Sequence, residues 1–220
     1  QNSPFNFGEY HLPFIYSTNG KIIWFQDLRH PLNRSREIAA IHTPNALEEF
    51  LSKDEETAKA WLNNNSVDNP FLRPYQKEAI EAIEKAVAER KRNMLIAMAT
   101  GTGKTFTIIN LIYRLMKSGL AKRVLFLVDR RALAAQAVTA LASFEAEPGL
   151  KFDKCYEVYS QRFRREDLDE DIKFDPKVLP TEYLTDPKSR DSFVYVCTIQ
   201  RMRINLFGQE GMFGTASGDL

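Results

Sequence analysis

Seven residues, Ala99-Thr100-Gly101-Thr102-Gly103-Lys104-Thr105, constrain this 220-residue chain more than any other feature, because the hydrophobic period changes across them. Upstream, Asn93-Met94-Leu95-Ile96-Ala97-Met98 is a short apolar run of the kind that forms a buried parallel strand. Downstream, Phe106, Ile108, Ile109, Leu111, Ile112 and Leu115 recur at helical spacing. The pattern predicts a strand feeding a glycine turn that opens a helix. In such a turn, glycines let backbone N–H groups curl around phosphate oxygens at the positive end of the helix dipole. Thr100, Gly101, Thr102, Gly103, Lys104 and Thr105 are therefore expected to hold a nucleoside triphosphate. Lys104 reaches the β/γ-phosphates, Thr105 ligates Mg²⁺ through its hydroxyl, and these two are the expected catalytic residues. Met98 stands where the full phosphate-loop pattern has its first glycine. The alternative is a glycine-rich strand-to-helix turn carrying a chance lysine.

The rest of the chain alternates between strand and helix patterns. Leu12 to Thr18 and Lys21 to Gln26 flank Asn19-Gly20, a hairpin signal, so residues from about 10 to 26 read as a β-hairpin. Thr43-Pro44 caps a short helix carrying Leu47, Phe50 and Leu51, and Trp61 and Leu62 close a second helical piece. The polar run Asn63-Asn64-Asn65-Ser66-Val67-Asp68-Asn69-Pro70 is the best boundary, dividing the chain into residues 1–66 and 67–220. Beyond it, Pro74 opens a helix whose apolar face is Ile80, Ile83, Ala86 and Val87. Residues 124–128 read as a second buried strand, and Leu133, Ala134, Ala137, Val138 and Leu141 as a crossover helix. Residues 193–198 read as a further strand, after a charged, proline-punctuated region with a short strand near residues 155–159. The expected fold is α/β: a phosphate-loop parallel sheet flanked by helices, preceded by a small α/β remnant with a hairpin.

At 44% apolar residues the chain can bury a substantial core, and its net charge of +1 gives no global field that attracts nucleic acid. No apolar run reaches membrane-span length and the N-terminus lacks a signal pattern, which predicts a cytoplasmic protein without membrane contact. Cys155 and Cys197 read as reduced thiols, and three histidines without zinc-ligand spacing predict no metal cluster. The missing initiator Met and the abrupt end at Leu220 suggest a segment of a longer protein.

Arg73-Pro74-Tyr75-Gln76 precedes the loop by one helix, and the Gln76 amide offers the donor and acceptor that hydrogen-bond adenine N6 and N7. Arg73 and Gln76 are therefore expected at the ATP site; the alternative is an exposed glutamine on a helix's first turn. Asp129-Arg130-Arg131 and Thr198-Ile199-Gln200-Arg201 stand at the carboxyl ends of strands, where parallel sheets collect ligands. Arg130, Thr198 and Gln200 suit contacts to a nucleic-acid phosphate backbone. Taken singly, each is also compatible with a solvated loop or a helix cap. The charge run from Arg162 to Asp171 reads as a solvated loop. Asp171-Ile172-Lys173, Asp175-Pro176-Lys177 and Asp186-Pro187-Lys188 sit among prolines and charges and are read as chance matches to a nuclease D-x-K.

Arg73-Pro74-Tyr75-Gln76, Met98-Ala99-Thr100-Gly101-Thr102-Gly103-Lys104-Thr105, Arg123 to Arg130 with Leu133 and Gln136-Ala137, and Thr198-Ile199-Gln200-Arg201-Met202 occur in that order. Together they closely resemble the restriction (R) subunit of type I restriction-modification enzymes, and the hairpin around Asn19-Gly20 resembles the end of that family's N-terminal nuclease region. The resemblance covers nearly the whole chain. It implies a superfamily 2 motor with a RecA-like first lobe that uses ATP and Mg²⁺ to translocate double-stranded DNA before cleavage, in complex with modification (M) and specificity (S) subunits. Residues 1–66 then correspond to the end of the nuclease region with its linker helices, and residues 67–220 to an incomplete first lobe. The family's D-E-x-H segment, nuclease carboxylates and second lobe have no counterpart in these 220 residues. The segment alone is expected to bind nucleotide at best. Two alternatives stand beside this: another superfamily 2 helicase or remodelling ATPase, and a nucleotide-binding module without motor activity.

Overall fold

The computed structural model describes residues 6–207 apart from 8, 30–32, 34, 39, 53, 162–176, 181–182 and 184–190. The charge run at 162–171 and the two D-x-K triplets at 171–173 and 186–188 lie outside the described residues. Asp175 and Pro176 of the third do too.

The chain opens with a three-stranded antiparallel sheet, β1 (Phe14–Thr18), β2 (Ile23–Asp27) and β3 (Arg36–Ile38), in that spatial order. The expected hairpin forms, with Gly20 in the left-handed region at φ +85°. Its loop is longer than the two-residue turn that Asn-Gly favours, because the Asn19 side chain accepts from the N–H groups of both Lys21 and Ile22 at 3.0 Å. Helix α1 (Pro44–Ser52) starts where Thr43 Oγ1 accepts the Ala46 N–H at 3.3 Å. Helix α2 (Glu55–Asn64) is capped by Asp54, whose carboxylate accepts the Thr57 N–H at 3.0 Å.

After a linker, α3 (Pro74–Ala88) leads through irregular residues to α4 (Lys104–Lys117), β4 (Arg123–Val128) and α5 (Arg131–Ser143). A small antiparallel pair, β5 (Glu145–Glu147) and β6 (Leu150–Lys151), and a one-turn helix α6 (Phe152–Cys155) follow. Then come β7 (Glu157–Ser160), β8 (Lys177–Val178), β9 (Phe193–Thr198) and α7 (Ile199–Phe207). The expected strand near residues 155–159 is thus shifted two residues later, since Cys155 closes α6.

The main sheet runs β4-β9-β7-β8 with all three pairings parallel. All six residues of β9 are buried, as befits a central parallel strand covered on both faces. Alternation along the strand splits the core in two. Val194 and Val196 pack with Ile109, Ile112, Val138, Leu141, Phe152 and Val158, from α4, α5, α6 and β7. Phe193, Tyr195 and Cys197 face the opposite side with Tyr159 and Leu179. Burying such side chains stabilises by about 1.5–3 kcal/mol each, which fixes α4 and α5 on the sheet.

One expectation fails. Residues 93–98, read as the strand before the loop, are irregular, with Leu95 92% exposed. Apolar character makes a strand possible, but a strand persists only when a neighbour takes its N–H and C=O groups. Among the described residues, β4 pairs only with β9, and residues 93–98 belong to no sheet.

Candidate nucleotide site

The glycine turn forms as its sequence requires. Gly101 and Gly103 have φ values of +79° and +80°, a region that side-chain-bearing residues enter at a cost of roughly 1–2 kcal/mol. Gly103 is the residue from which α4 starts, so Lys104 and Thr105 are its first two residues and carry the free N–H groups of the helix N-terminus. The turn is braced from within. Thr102 Oγ1 donates to Ala99 O at 2.7 Å, and Thr107 Oγ1 donates to Gly103 O at 3.0 Å. Lys104 Nζ donates to Met98 O at 3.1 Å, which folds the ammonium over the loop it belongs to.

Helix α3 braces the same turn from outside. Tyr75 donates through its hydroxyl to Thr102 O at 3.1 Å, and Gln76 Nε2 donates to Thr102 O at 3.1 Å and Gly103 O at 3.3 Å. Gln76 Oε1 in turn accepts the Arg73 N–H at 2.9 Å. Arg73 Nη1 donates to the Tyr75 hydroxyl at 3.1 Å. Sequence reasoning turns the Gln76 amide toward adenine; in the structure it is turned onto the loop. The physical reason is its position on the first turn of α3, 3% exposed, where it serves at once as the α3 N-terminal acceptor and as a donor to two loop carbonyls. A Cβ added to Gly103 would stand 2.6 Å from Gln76 Nε2, so the two residues fit only as glycine against amide.

Beside the loop lies a cavity of about 1030 Å³. Thr100, Gly101, Gly103, Lys104 and Thr105 line its loop side, Phe71, Phe106 and Phe144 contribute apolar surface, and the carboxylates Asp68, Glu145 and Glu147 also line it. Phe71 is 81% exposed, an unusual placement for an aromatic ring with a cavity to line. A polyanion suits the loop side, where the free N–H groups of the α4 N-terminus and the Lys104 side chain lie, and a flat apolar group suits the aromatic side. Sequence reasoning missed Phe71 and Tyr75. Their signal is two aromatics within five residues of Gln76.

The expected nucleic-acid residues meet at one edge. Val128 and Thr198 are in register on adjacent strands, which puts Arg130 and Gln200 just beyond the carboxyl ends of β4 and β9. The Arg130 side chain is 81% exposed, and Gln200 is exposed on the first turn of α7. Thr198 differs from both. It is 6% exposed, its N–H and hydroxyl both donate to Gln161 Oε1 at 3.0 and 3.1 Å, and its Oγ1 accepts the Arg201 N–H at 3.3 Å. The hydroxyl thus caps α7 and is not presented to a ligand. Gln161 was not anticipated, because it meets Thr198 only after β7 and β9 pair.

Among the described residues no group of three His, Cys, Asp or Glu could hold a metal ion, and no helix is long and apolar enough to cross a membrane.

A glycine-turned loop opening a helix beside a parallel α/β sheet defines a phosphate-loop lobe of the RecA-like kind. Residues 69–214 match the family described as "Type III restriction enzyme, res subunit", and the chain belongs to that family. Over 140 residues it is 41% identical to the type I restriction enzyme EcoKI endonuclease subunit of Escherichia coli strain K12, covering 59% of this chain and 12% of the relative. It is 33% identical over 140 residues to the EcoAI endonuclease subunit of Escherichia coli, covering 57% of this chain and 17% of that protein. The UvrABC system protein B of Staphylococcus haemolyticus is 36% identical over 86 residues, 39% of this chain and 12% of its own length. The chain therefore spans well under a fifth of the restriction subunits it matches. No solved structure matches it.

Proposed function

We propose that this chain is the nucleotide-binding part of a type I restriction-enzyme motor subunit, which binds ATP with Mg²⁺ and couples its hydrolysis to translocation of double-stranded DNA before cleavage. In that reading residues 67–220 belong to the first motor lobe and residues 1–66 to the end of the nuclease region. M and S subunits complete the assembly. The observation that carries it is the turn at Gly101 and Gly103, which delivers Lys104 and Thr105 to the first turn of α4 at the wall of the cavity. Similarity to two type I endonuclease subunits supports the restriction context.

The residues present fit a magnesium nucleotide. Backbone N–H groups from Thr100 to Thr105 would hold the triphosphate, Lys104 would exchange the Met98 carbonyl for phosphate oxygens, and the Thr105 hydroxyl would be the protein's ligand to Mg²⁺. Mg²⁺, when bound, would neutralise phosphate charge. Gln76, Tyr75 and Arg73 hold the turn in shape, and Phe71 offers a face on which a base stacks. Arg130 and Gln200 contact the DNA backbone.

The test uses the full-length protein. Replacing Lys104 by Ala removes charge-assisted hydrogen bonds of about 1.5–3 kcal/mol, so ATP affinity falls by roughly 10–150-fold and DNA-stimulated ATP turnover is lost. Unchanged affinity in the variant overturns the site. Wild-type nucleotide uptake with no DNA-stimulated turnover favours a binding module over a motor. Gln76→Ala separates the two roles of that residue: a loop brace weakens ATP and GTP alike, and an adenine reader weakens ATP alone.

A further inference from the structure

The polar linker between α2 and α3 reads in sequence as a loose boundary, yet the structure pins it along α4. Arg114, 9% exposed on α4, donates from Nη2 to Asn65 O at 2.6 Å and from Nη1 to Ser66 O at 2.9 Å. The same guanidinium forms a fork onto Glu84 of α3, with Nε to Oε1 at 2.6 Å and Nη2 to Oε2 at 3.0 Å. Its Cζ lies 5.5 Å from the ring centroid of Trp61 on α2. One turn earlier on the same face of α4, Asn110 accepts from Asn69 Nδ2 at 2.9 Å and donates to Phe106 O at 2.8 Å. Between these two anchors Val67 is buried, and Leu72 is buried just beyond, in one cluster with Ile80. The Asn69 side chain then accepts the Phe71 N–H at 2.9 Å, and Phe71 stands at the cavity.

Residues 65–72 are thus a strap laid back along α4. One end is the C-terminus of α2, and the other lines the cavity with Asn69 and Phe71. Helix α2 is seated by the same contacts, since Ala58 and Leu62 pack with Leu120, and Trp61, Val87 and Leu115 close around them. We infer that Arg114 is a positioning residue that couples nucleotide occupancy to the placement of α2 and of the chain before it. Helix α4 carries Lys104 at one end and Arg114 near the other. A rigid helix moved by phosphates at its N-terminus must carry the four acceptors that Arg114 holds. Arginine suits this role because its planar fork engages a carboxylate and two carbonyls together, which an ammonium at that site cannot do.

The inference rests on the nucleotide reading above, and the test separates the two. Hydrogen exchange is followed by mass spectrometry in the full-length protein, with and without a non-hydrolysable ATP analogue and Mg²⁺. Nucleotide is expected to slow exchange at residues 100–107 and also at residues 55–72. In the double variant Glu84→Met, Arg114→Met, which replaces the buried pair by apolar groups of similar size and so keeps the fold, residues 100–107 remain protected with affinity within threefold of wild type. The response at 55–64 falls to less than a third. Arg114→Lys, keeping the charge without the fork, retains less than half of it. A full response at 55–64 in the double variant overturns the inference. So does protection at 100–107 alone in the wild type. No protection anywhere overturns the nucleotide site as well.

Discussion

Replacing Gly103 by Ala tests the packing of α3 against the phosphate loop more directly than any change to the loop's charged groups. The new Cβ meets two costs. The first is backbone strain, since φ at Gly103 is +80°, worth roughly 1–2 kcal/mol. The second is steric: the Cβ would lie 2.6 Å from Gln76 Nε2, so the amide must move. Gln76 is 3% exposed and its amide is tied to Thr102 O, Gly103 O and the Arg73 N–H, so moving it breaks hydrogen bonds worth about 0.5–1.5 kcal/mol each. The expected loss is about 2.5–6.5 kcal/mol of stability if all three bonds break. Gly101→Ala is the internal control: its φ is +79° but nothing lies within 4 Å of its Cβ, so only the strain of roughly 1–2 kcal/mol remains. A double-mutant cycle read by urea denaturation isolates the contact. Placed in a Gln76→Ala background, Gly103→Ala should cost no more than Gly101→Ala does. Equal costs for Gly103→Ala in both backgrounds would refute the argument that Gln76 and the glycine are matched.

Three further outcomes follow from the geometry. Arg130→Ala should weaken DNA binding by the full-length protein evenly across sequences and reduce the salt slope by about one, with thermal stability unchanged; an unaltered slope removes Arg130 from the interface. Thr198→Ala should cost about 0.5–2 kcal/mol through loss of the α7 cap, and Thr198→Ser should restore most of it; equal loss in both denies the hydroxyl this role. Burial, followed by the nearby charge of Arg36, pushes the His42 imidazole below its ordinary value of 6.5, so the unfolded chain binds the proton more readily. Stability from this site is complete above about pH 6.5 and falls as pH drops below it. His42→Gln should flatten that part of a pH–stability profile, and an identical profile in the variant excludes the histidine.

Local pattern made much of the fold legible. Helices α4 and α5 and strand β9 sit where periodicity puts them, because each buries a face that its own residues define. What escaped is non-local. Residues 93–98 have strand composition, yet strand formation depends on a ladder partner that composition does not reveal. The linker looked loose because Asn, Ser and Asp favour turns, whereas its rigidity comes from Arg114, nearly fifty positions away, gripping two main-chain carbonyls. The glycine turn opening α4 is readable because its chemistry is encoded in adjacent residues. The sequence brings Gln76 near the loop but does not give its orientation, since a capping role on the first turn of α3 and a brace on the loop both depend on how α3 docks. For Thr198 the sequence leaves a phosphate contact and a helix cap both open, and the structure shows the cap, with Gln161 brought to it by the pairing of β7 with β9.

The outer side of β4 has a consequence for handling the protein. Among the described residues nothing pairs with that side, and Leu125 and Leu127 are 44% and 45% exposed along it. An unpaired strand edge flanked by exposed leucines is a template on which another copy's backbone can add, so self-association is expected to start there. Light scattering that rises with concentration and is suppressed by Leu125→Lys would locate the sticky seam of the molecule.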